Sequence, residues 1–229
     1  MGAAIVSVID GDEQLHLAGV WARNTGAARE RLRRPDSLIS DDLERVVQRS
    51  DVLIDFSLPR ATETVLAAVT ALNKPLVCGV SGLSTAQMAL LDEAAGRIPI
   101  VFDRNMSQGI AVLSALVDRA ARALGDDFEV EVHETHHVHK IDAPSGTALQ
   151  LGEAIAAARG AAADTIRYEV ERRGEVPGDH AVIFRSPTER LEFTHSVTTR
   201  GVFAEGAVRA ARWVVGQRPG RYSMLDVLS

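Results

Sequence analysis

Residues 51–80 read DVLIDFSLPRATETVLAAVTALNKPLVCGV. DVLIDFS (51–57) is a short apolar run that ends in a turn. ATETVLAAVTAL (61–72) repeats its apolar residues at helical spacing. PLVCGV (75–80) is a second apolar run. Strand, helix and strand in this order imply a parallel sheet. Neither strand alternates apolar with polar residues, which is the pattern of a parallel sheet covered on both faces.

The same rhythm extends in both directions. STAQMALLDEAAG (84–96) predicts a helix closed by Gly96, and IPIVF (98–102) a further strand. LHLAGVWA (15–22) predicts a strand on the other side. GIAVLSALVDRAARALG (109–125) predicts a long amphipathic helix stopped by Gly125. The fold class expected is α/β, a Rossmann-like doubly wound parallel sheet. Such a sheet opens with a strand, a glycine-rich turn and a helix. This sequence opens with MGAAIVSVID, which already reads as the helix, so the first strand and glycine-rich loop are missing from the numbered residues. Either they lie upstream of this numbering or the protein lacks them.

After residue 107 the pattern changes. FEVEVHE (128–134), IRYEVER (166–172), HAVIFRS (180–186) and RLEFTHSVTT (190–199) all predict strands, interrupted by the helix TALQLGEAIAAAR (147–159). This predicts a second α+β domain with a mixed sheet. The helix FAEGAVRAARWVVG (203–216) is expected to return to the first domain. The expected division is 1–106 with 204–229, and 107–203.

Composition narrows the function classes. A formal net charge of -6 argues against a nucleic-acid or anionic-membrane partner. One cysteine, Cys78, excludes an intrachain disulfide and suits a reducing compartment. No apolar run approaches the ~20 residues that span a bilayer, and the N-terminus has no signal-peptide pattern. A soluble cytoplasmic protein is expected.

In a parallel sheet, ligands bind beyond the carboxyl ends of the strands. Ser57-Leu58-Pro59, Gly79-Val80-Ser81-Gly82 and Asp103-Arg104-Asn105-Met106 fall there. Any one of them reads as an ordinary turn; three at one edge predict a cofactor cleft. The second strand usually ends at the residue that reads the adenosine ribose. Here it runs into Arg23, with no acid, and an arginine pairs with a 2′-phosphate. NADPH is the expected cofactor, with NADH the alternative.

The chemistry concentrates in ETHHVHKIDAPSGTA (134–148). If the preceding strand continues, His136, Val138 and Lys140 share one face, and His137 and His139 the other. If the chain curls helically, His136 and Lys140 still share a face. The turn before the next helix carries Ser145, Gly146 and Thr147, whose N–H groups and helix dipole form an anion site. With Lys140 beside it, the turn suits one or two carboxylates. Histidine delivers protons near neutral pH, so His136 is the candidate acid. A metal centre is not expected. Adjacent histidines on opposite strand faces do not share one ion, and Lys140 repels a dication.

At these residues the sequence closely resembles the 4-hydroxy-tetrahydrodipicolinate (dihydrodipicolinate) reductase family of lysine and diaminopimelate biosynthesis. The resemblance rests on Glu134, His136-His137, His139-Lys140 and Asp142 to Ala148. It continues at Asp55-Phe56-Ser57, Gly79 to Gly82, Asn105 to Gly109, Gly178-Asp179-His180, Glu192, His195, Arg200, Phe203 to Ala207 and Met224 to Leu228. It implies a nicotinamide-dependent oxidoreductase whose first domain binds the dinucleotide. The second domain binds substrate and builds a homotetramer through its sheet. It implies that His136 gives a proton to the ring and that Lys140 is the second catalytic residue. It also implies that His137, Gly146 and Thr147 bind the dicarboxylate. Gly79, Val80 and Ser81, with Asp103, Arg104, Asn105 and Met106, would contact the nicotinamide side. The alternatives are a non-catalytic dicarboxylate binder without a complete cofactor loop, and a metal-dependent hydrolase.

Overall fold

The computed structural model describes residues 1–229. The chain opens with α1 (Gly2–Asp10), β1 (Val20–Trp21), α2 (Thr25–Leu32), β2 (Ile39–Ser40), α3 (Leu43–Gln48), β3 (Leu53–Asp55), α4 (Thr62–Ala71), β4 (Leu76–Cys78), α5 (Thr85–Ala95) and β5 (Pro99–Phe102). Next come α6 (Gln108–Leu124), β6 (Glu129–His136), α7 (Gly146–Arg159), β7 (Arg167–Arg172), β8 (Asp179–Arg185) and β9 (Arg190–Ser196). It closes with α8 (Gly201–Val214), β10 (Gly220–Tyr222) and α9 (Met224–Leu228). Two compact units result: Met1–Met106 with Phe203–Ser229, and Ser107–Val202.

The first unit holds a parallel sheet in the order β10-β5-β4-β3. All three residues of β4 are buried, as expected for a central strand covered on both faces. Asp55 pairs with Cys78 and Cys78 with Phe102, so β3, β4 and β5 end level and their following turns share one edge. Of the helices between them, α5 starts at a sequence-encoded cap, whereas α4 follows Ala61 with no side-chain cap. At α5, Ser84 accepts from the Gln87 N–H while the Gln87 side chain returns to the Ser84 N–H.

The strand expected over 15–22 is confined to β1. A strand persists only where a neighbour completes its ladder, and β1 pairs with β2 at two positions alone. Leu15, His16 and Leu17 instead line a cavity of about 1030 Å³. Its walls include Ile5 and Ile9 of α1, Trp21 of β1 and Ile54 of β3. β1 and β3 belong to separate sheets on this cavity. The opening residues are helical, α1, as their pattern predicts. Elements α2, α3, β2, β10 and α9 were not anticipated from the sequence.

The second unit is a mixed sheet, β7-β6-β8-β9, with β6 parallel to β7 and antiparallel to β8. α6 and α7 cover one face. Val132, Val182 and Phe184 from the sheet pack with Leu113 and Val117 of α6 and Leu151 and Ile155 of α7. Each such side chain contributes roughly 1.5–3 kcal/mol on full burial. α7 stops at Gly160, whose φ of 65° is the left-handed cap that glycine adopts without strain.

Gly206 gives a test of packing in the first unit. A Cβ there would stand 1.8 Å from the Met106 carbonyl oxygen. In an open helix, Gly→Ala stabilises by about 1 kcal/mol. Gly206→Ala is expected to reverse that sign and destabilise by about 2 kcal/mol or more. Urea unfolding checks it, and a higher midpoint would refute the packing.

Candidate active site

The face of β6 that packs on α6 and α7 begins apolar and ends ionic. Val130 and Val132 join the core; Glu134 and His136 follow at the same period of two. Register brings further groups to that end. Glu134 lies opposite His180 on β8, and His136 opposite Arg172 on β7. Over them sits the start of α7, with Ser145 as its N-cap. A polar cluster thus forms where the helix opens.

The Glu134 carboxylate is the hub, and its side chain has no exposed surface. Oε1 accepts from the Ser145 N–H at 3.0 Å and from the Arg172 guanidinium at 3.1 Å. Oε2 lies 2.5 Å from His136 Nδ1. Burial would raise this acid, but the hydrogen bonds from Ser145 and Arg172 outweigh it and hold the pKa below the usual carboxylate value. His136 is also buried, and burial is the largest influence lowering its pKa. Glu134 opposes that shift, while Lys140 and Arg172 add to it. His180 packs edge-on against His136, with ring centroids 5.1 Å apart. Burial, then the neighbouring His136, push His180 down to about 3, so it stays neutral.

Of the two paths open to residues 137–140, the strand does not continue and the chain turns. β6 stops at His136, and the Lys140 N–H turns back to the His137 carbonyl. Val138 is exposed and does not join His136 on a shared face. Lys140 reaches the cluster from a loop. Its ammonium is 2.8 Å from both carboxylate oxygens of Asp142, a partner the sequence reading had not paired with it. Arg172 clamps this loop by donating to the carbonyls of Lys140 and Asp142.

The anion turn is also partly satisfied from within. Ser145 Oγ accepts from the Ala148 N–H, and the Ser145 N–H is taken by Glu134. Ser145 is buried, and its hydroxyl caps α7. Gly146 and Thr147 form the first helical positions, where N–H groups point out along the axis. His137 lies apart from the hub, with Nε2 2.6 Å from the Arg200 guanidinium. His139 is exposed beside Glu175.

Glu134, His136 and His180 each offer an atom within 4.8 Å of the others, the spacing of a metal group. Two ligands of one tetrahedral ion stand roughly 3.3 Å apart when bound at about 2.0–2.2 Å. Glu134 and His136 are closer than that, and Arg172 holds the other carboxylate oxygen. The geometry suits a charge cluster around an imidazole.

The expected cofactor residues occupy the first unit. Gly79 has its physical reason inside the protein: a Cβ there would stand 2.4 Å from the Phe56 ring. Val80 and Met106 are buried in the core, so they can offer a ligand only backbone. Asp103 is engaged, accepting from the N–H groups of Asn105 and Met224. Ser81 and Arg104 are exposed at the level edge of the sheet, and Arg23 is exposed just beyond β1. Cys78 is buried, and burial pushes its thiol up to about 12, too high for a nucleophile.

Glu134, Arg172 and His180 join the site without a role predicted from sequence. Glu134 carried a signal, since it stands two residues before His136 in a strand. Arg172 and His180 depend on strand register, which no local pattern displays.

A family model described as dihydrodipicolinate reductase, N-terminus, matches residues 1–106. One described as dihydrodipicolinate reductase, C-terminus, matches residues 109–228. The 4-hydroxy-tetrahydrodipicolinate reductase of Halorhodospira halophila is 42% identical over 252 residues, covering all of this chain and 94% of its own. That of Alkalilimnicola ehrlichii is 46% identical over 207 residues, covering 83% of this chain and 78% of its own. The dipicolinate-bound dihydrodipicolinate reductase from Paenisporosarcina sp. TG-14 is a similar solved structure, with a TM-score of 0.84 at 20% identity. The match covers 98% of this chain and 94% of that one, and it shows the shared fold.

Acidification acts on this cluster with one sign. His136 and His180 have folded values below 6.5, and Glu134 below 4.5. Their stabilisation is complete above those values and is lost as pH falls through them. The thermal midpoint is expected to fall from about pH 6.5 downward, and the fall is expected to shrink in His180→Asn. A midpoint flat from pH 7 to 4 would contradict the burial of these groups.

Proposed function

We infer the activity from one premise: the chain belongs to the dihydrodipicolinate reductase family, whose two halves it matches in order. It reduces 4-hydroxy-tetrahydrodipicolinate to tetrahydrodipicolinate in lysine and diaminopimelate biosynthesis. The observation that carries the reading is the buried imidazole of His136, tied through Glu134 to the opening of α7.

A bound nicotinamide dinucleotide supplies the hydride. The residues present suit its two ends. The exposed turn at Ser81 and the backbone of Val80 and Asp103 to Met106 would face the nicotinamide, and Arg23 a ribose phosphate. The pyrophosphate would rest at the start of α1, where Met1 provides no side-chain cap to the first N–H groups.

His136 gives the proton. Its burial and the cations Lys140 and Arg172 favour the neutral ring. A dianionic substrate offsets those cations and favours the imidazolium, so the acid is charged by its own ligand. The N–H groups of Gly146 and Thr147 bind one carboxylate. Lys140 meets a second by exchanging Asp142 for the substrate. Arg200, whose guanidinium donates to His137 Nε2, extends the same cationic surface. The homotetramer remains a proposal, supported by the uncovered face of the second sheet, where Glu131, Arg167 and Glu169 are presented. A cytoplasmic location is proposed from the biosynthetic role; no helix is long and apolar enough to cross a membrane.

Turnover is followed as NADPH oxidation with the condensation product of pyruvate and aspartate semialdehyde. His136→Gln is expected to lower kcat by roughly 10²–10⁴ while the Kd for pyridine-2,6-dicarboxylate changes little. Unchanged turnover with lost diacid binding would overturn the role of His136. Arg23 decides the cofactor. Arg23→Ala is expected to raise KM for NADPH about tenfold or more and to leave NADH unaffected, since a charge-assisted hydrogen bond is lost. An equal effect on both nucleotides would remove the NADPH preference.

A further inference from the structure

We propose that Glu134 is the positioning residue of the reaction: it fixes the tautomer and orientation of His136 and locks that ring to the helix opening that receives the substrate carboxylate. The inference rests on the reading of His136 as the acid.

The geometry gives Glu134 two tasks at once. Oε2 lies against His136 Nδ1 at 2.5 Å. Oε1 receives the Ser145 N–H, the N-cap amide of α7. One rigid carboxylate therefore spans the ring and the turn, and neither moves without the other. An ionised carboxylate in a site without exposed surface is costly unless it is fully paired. Here the Ser145 N–H and the Arg172 guanidinium donate to Oε1, the imidazole stands at ion-pair distance from Oε2, and the positive end of the α7 dipole adds to them.

Tautomer follows from charge. A carboxylate beside Nδ1 holds a proton on that nitrogen in the neutral ring. Nε2 is then the nitrogen that gains and gives the working proton. After donation the ring is neutral, with its proton retained at Nδ1 against Glu134, and Nε2 recovers a proton from water. The structure keeps space for this at Gly178. A Cβ on residue 178 would stand 3.0 Å from Nε2, and the φ of 154° there disfavours any side chain. Any side chain at residue 178 would press on the donating nitrogen.

The charged and titratable groups facing the ring are Glu134 on its own strand, Arg172 on β7, His180 on β8, and Lys140 and Asp142 on the loop. Lys140 is paired with Asp142, and His180 is neutral in the working range. Glu134 is therefore the group that favours the imidazolium, set against burial, Arg172 and Lys140. Its removal lowers the supply of acid at neutral pH.

The test combines spectroscopy with kinetics on the full chain. Imidazole ¹⁵N shifts of the unmodified protein at high pH report the neutral tautomer of His136; the proton is expected on Nδ1. A proton on Nε2 would overturn the proposal without any variant having to fold. In Glu134→Gln, the limb of the kcat profile that needs protonated His136 is expected to move to lower pH by about one unit, a tenfold loss of acid form above it. KM should change by less than about threefold, and Glu134→Asp should recover part of kcat. A limb that stays in place while kcat and KM worsen together would assign Glu134 a purely structural role. His136→Gln with intact turnover, beside an Nδ1 proton in the unmodified protein, would instead reject the acid role of His136 and keep the contact.

Discussion

One buried carboxylate organises the second unit's chemistry. Glu134 sits where the apolar face of β6 runs out and α7 begins, with Ser145, Arg172 and His136 around it. Removing any partner would leave a charge unpaired in a dry site, at a cost of several kcal/mol. The strand ends beside it, where its ladders to β7 and β8 stop. That constraint explains why Arg172 clamps the 140–142 loop and why the helix cap is at Ser145. The acid and the anion turn are neighbours because they share one counter-charge.

The site was half legible in the residues. Three imidazoles and an ammonium before a small-residue turn indicated acid chemistry near an anion site, and the resemblance named the residues. The pairing of Lys140 with Asp142 shows where local reading stopped. Both residues stood in the quoted motif, yet their contact depends on a loop path that strand periodicity did not describe. The same holds for the Ser145 N–H, whose acceptor, Glu134, stands 11 residues back across the loop. His180 is opposite Glu134 only because β8 is antiparallel to β6 in that register.

The fold was more legible because burial on both faces of a strand leaves a continuous apolar run. β3, β4 and β5 show this, and β4 is wholly buried. Short edge elements carry no such mark. β10, with only Gly220–Tyr222, is defined by pairing with β5 rather than by its composition. Residues 15–19 show the converse. Their pattern suits a strand, but with no ladder partner they form the wall of a large cavity. Pattern gives a segment its preference, and the neighbouring backbone decides whether the preference is realised.

The account's central claim is spatial: acid and carboxylate-binding amides address one bound molecule. A crystal structure of this protein with pyridine-2,6-dicarboxylate tests it most directly. The account predicts one carboxylate on the N–H groups of Gly146 and Thr147, the other displacing Asp142 from Lys140, and Nε2 of His136 turned to the ring. A diacid bound elsewhere, or held at that turn with Nε2 facing away, would contradict it.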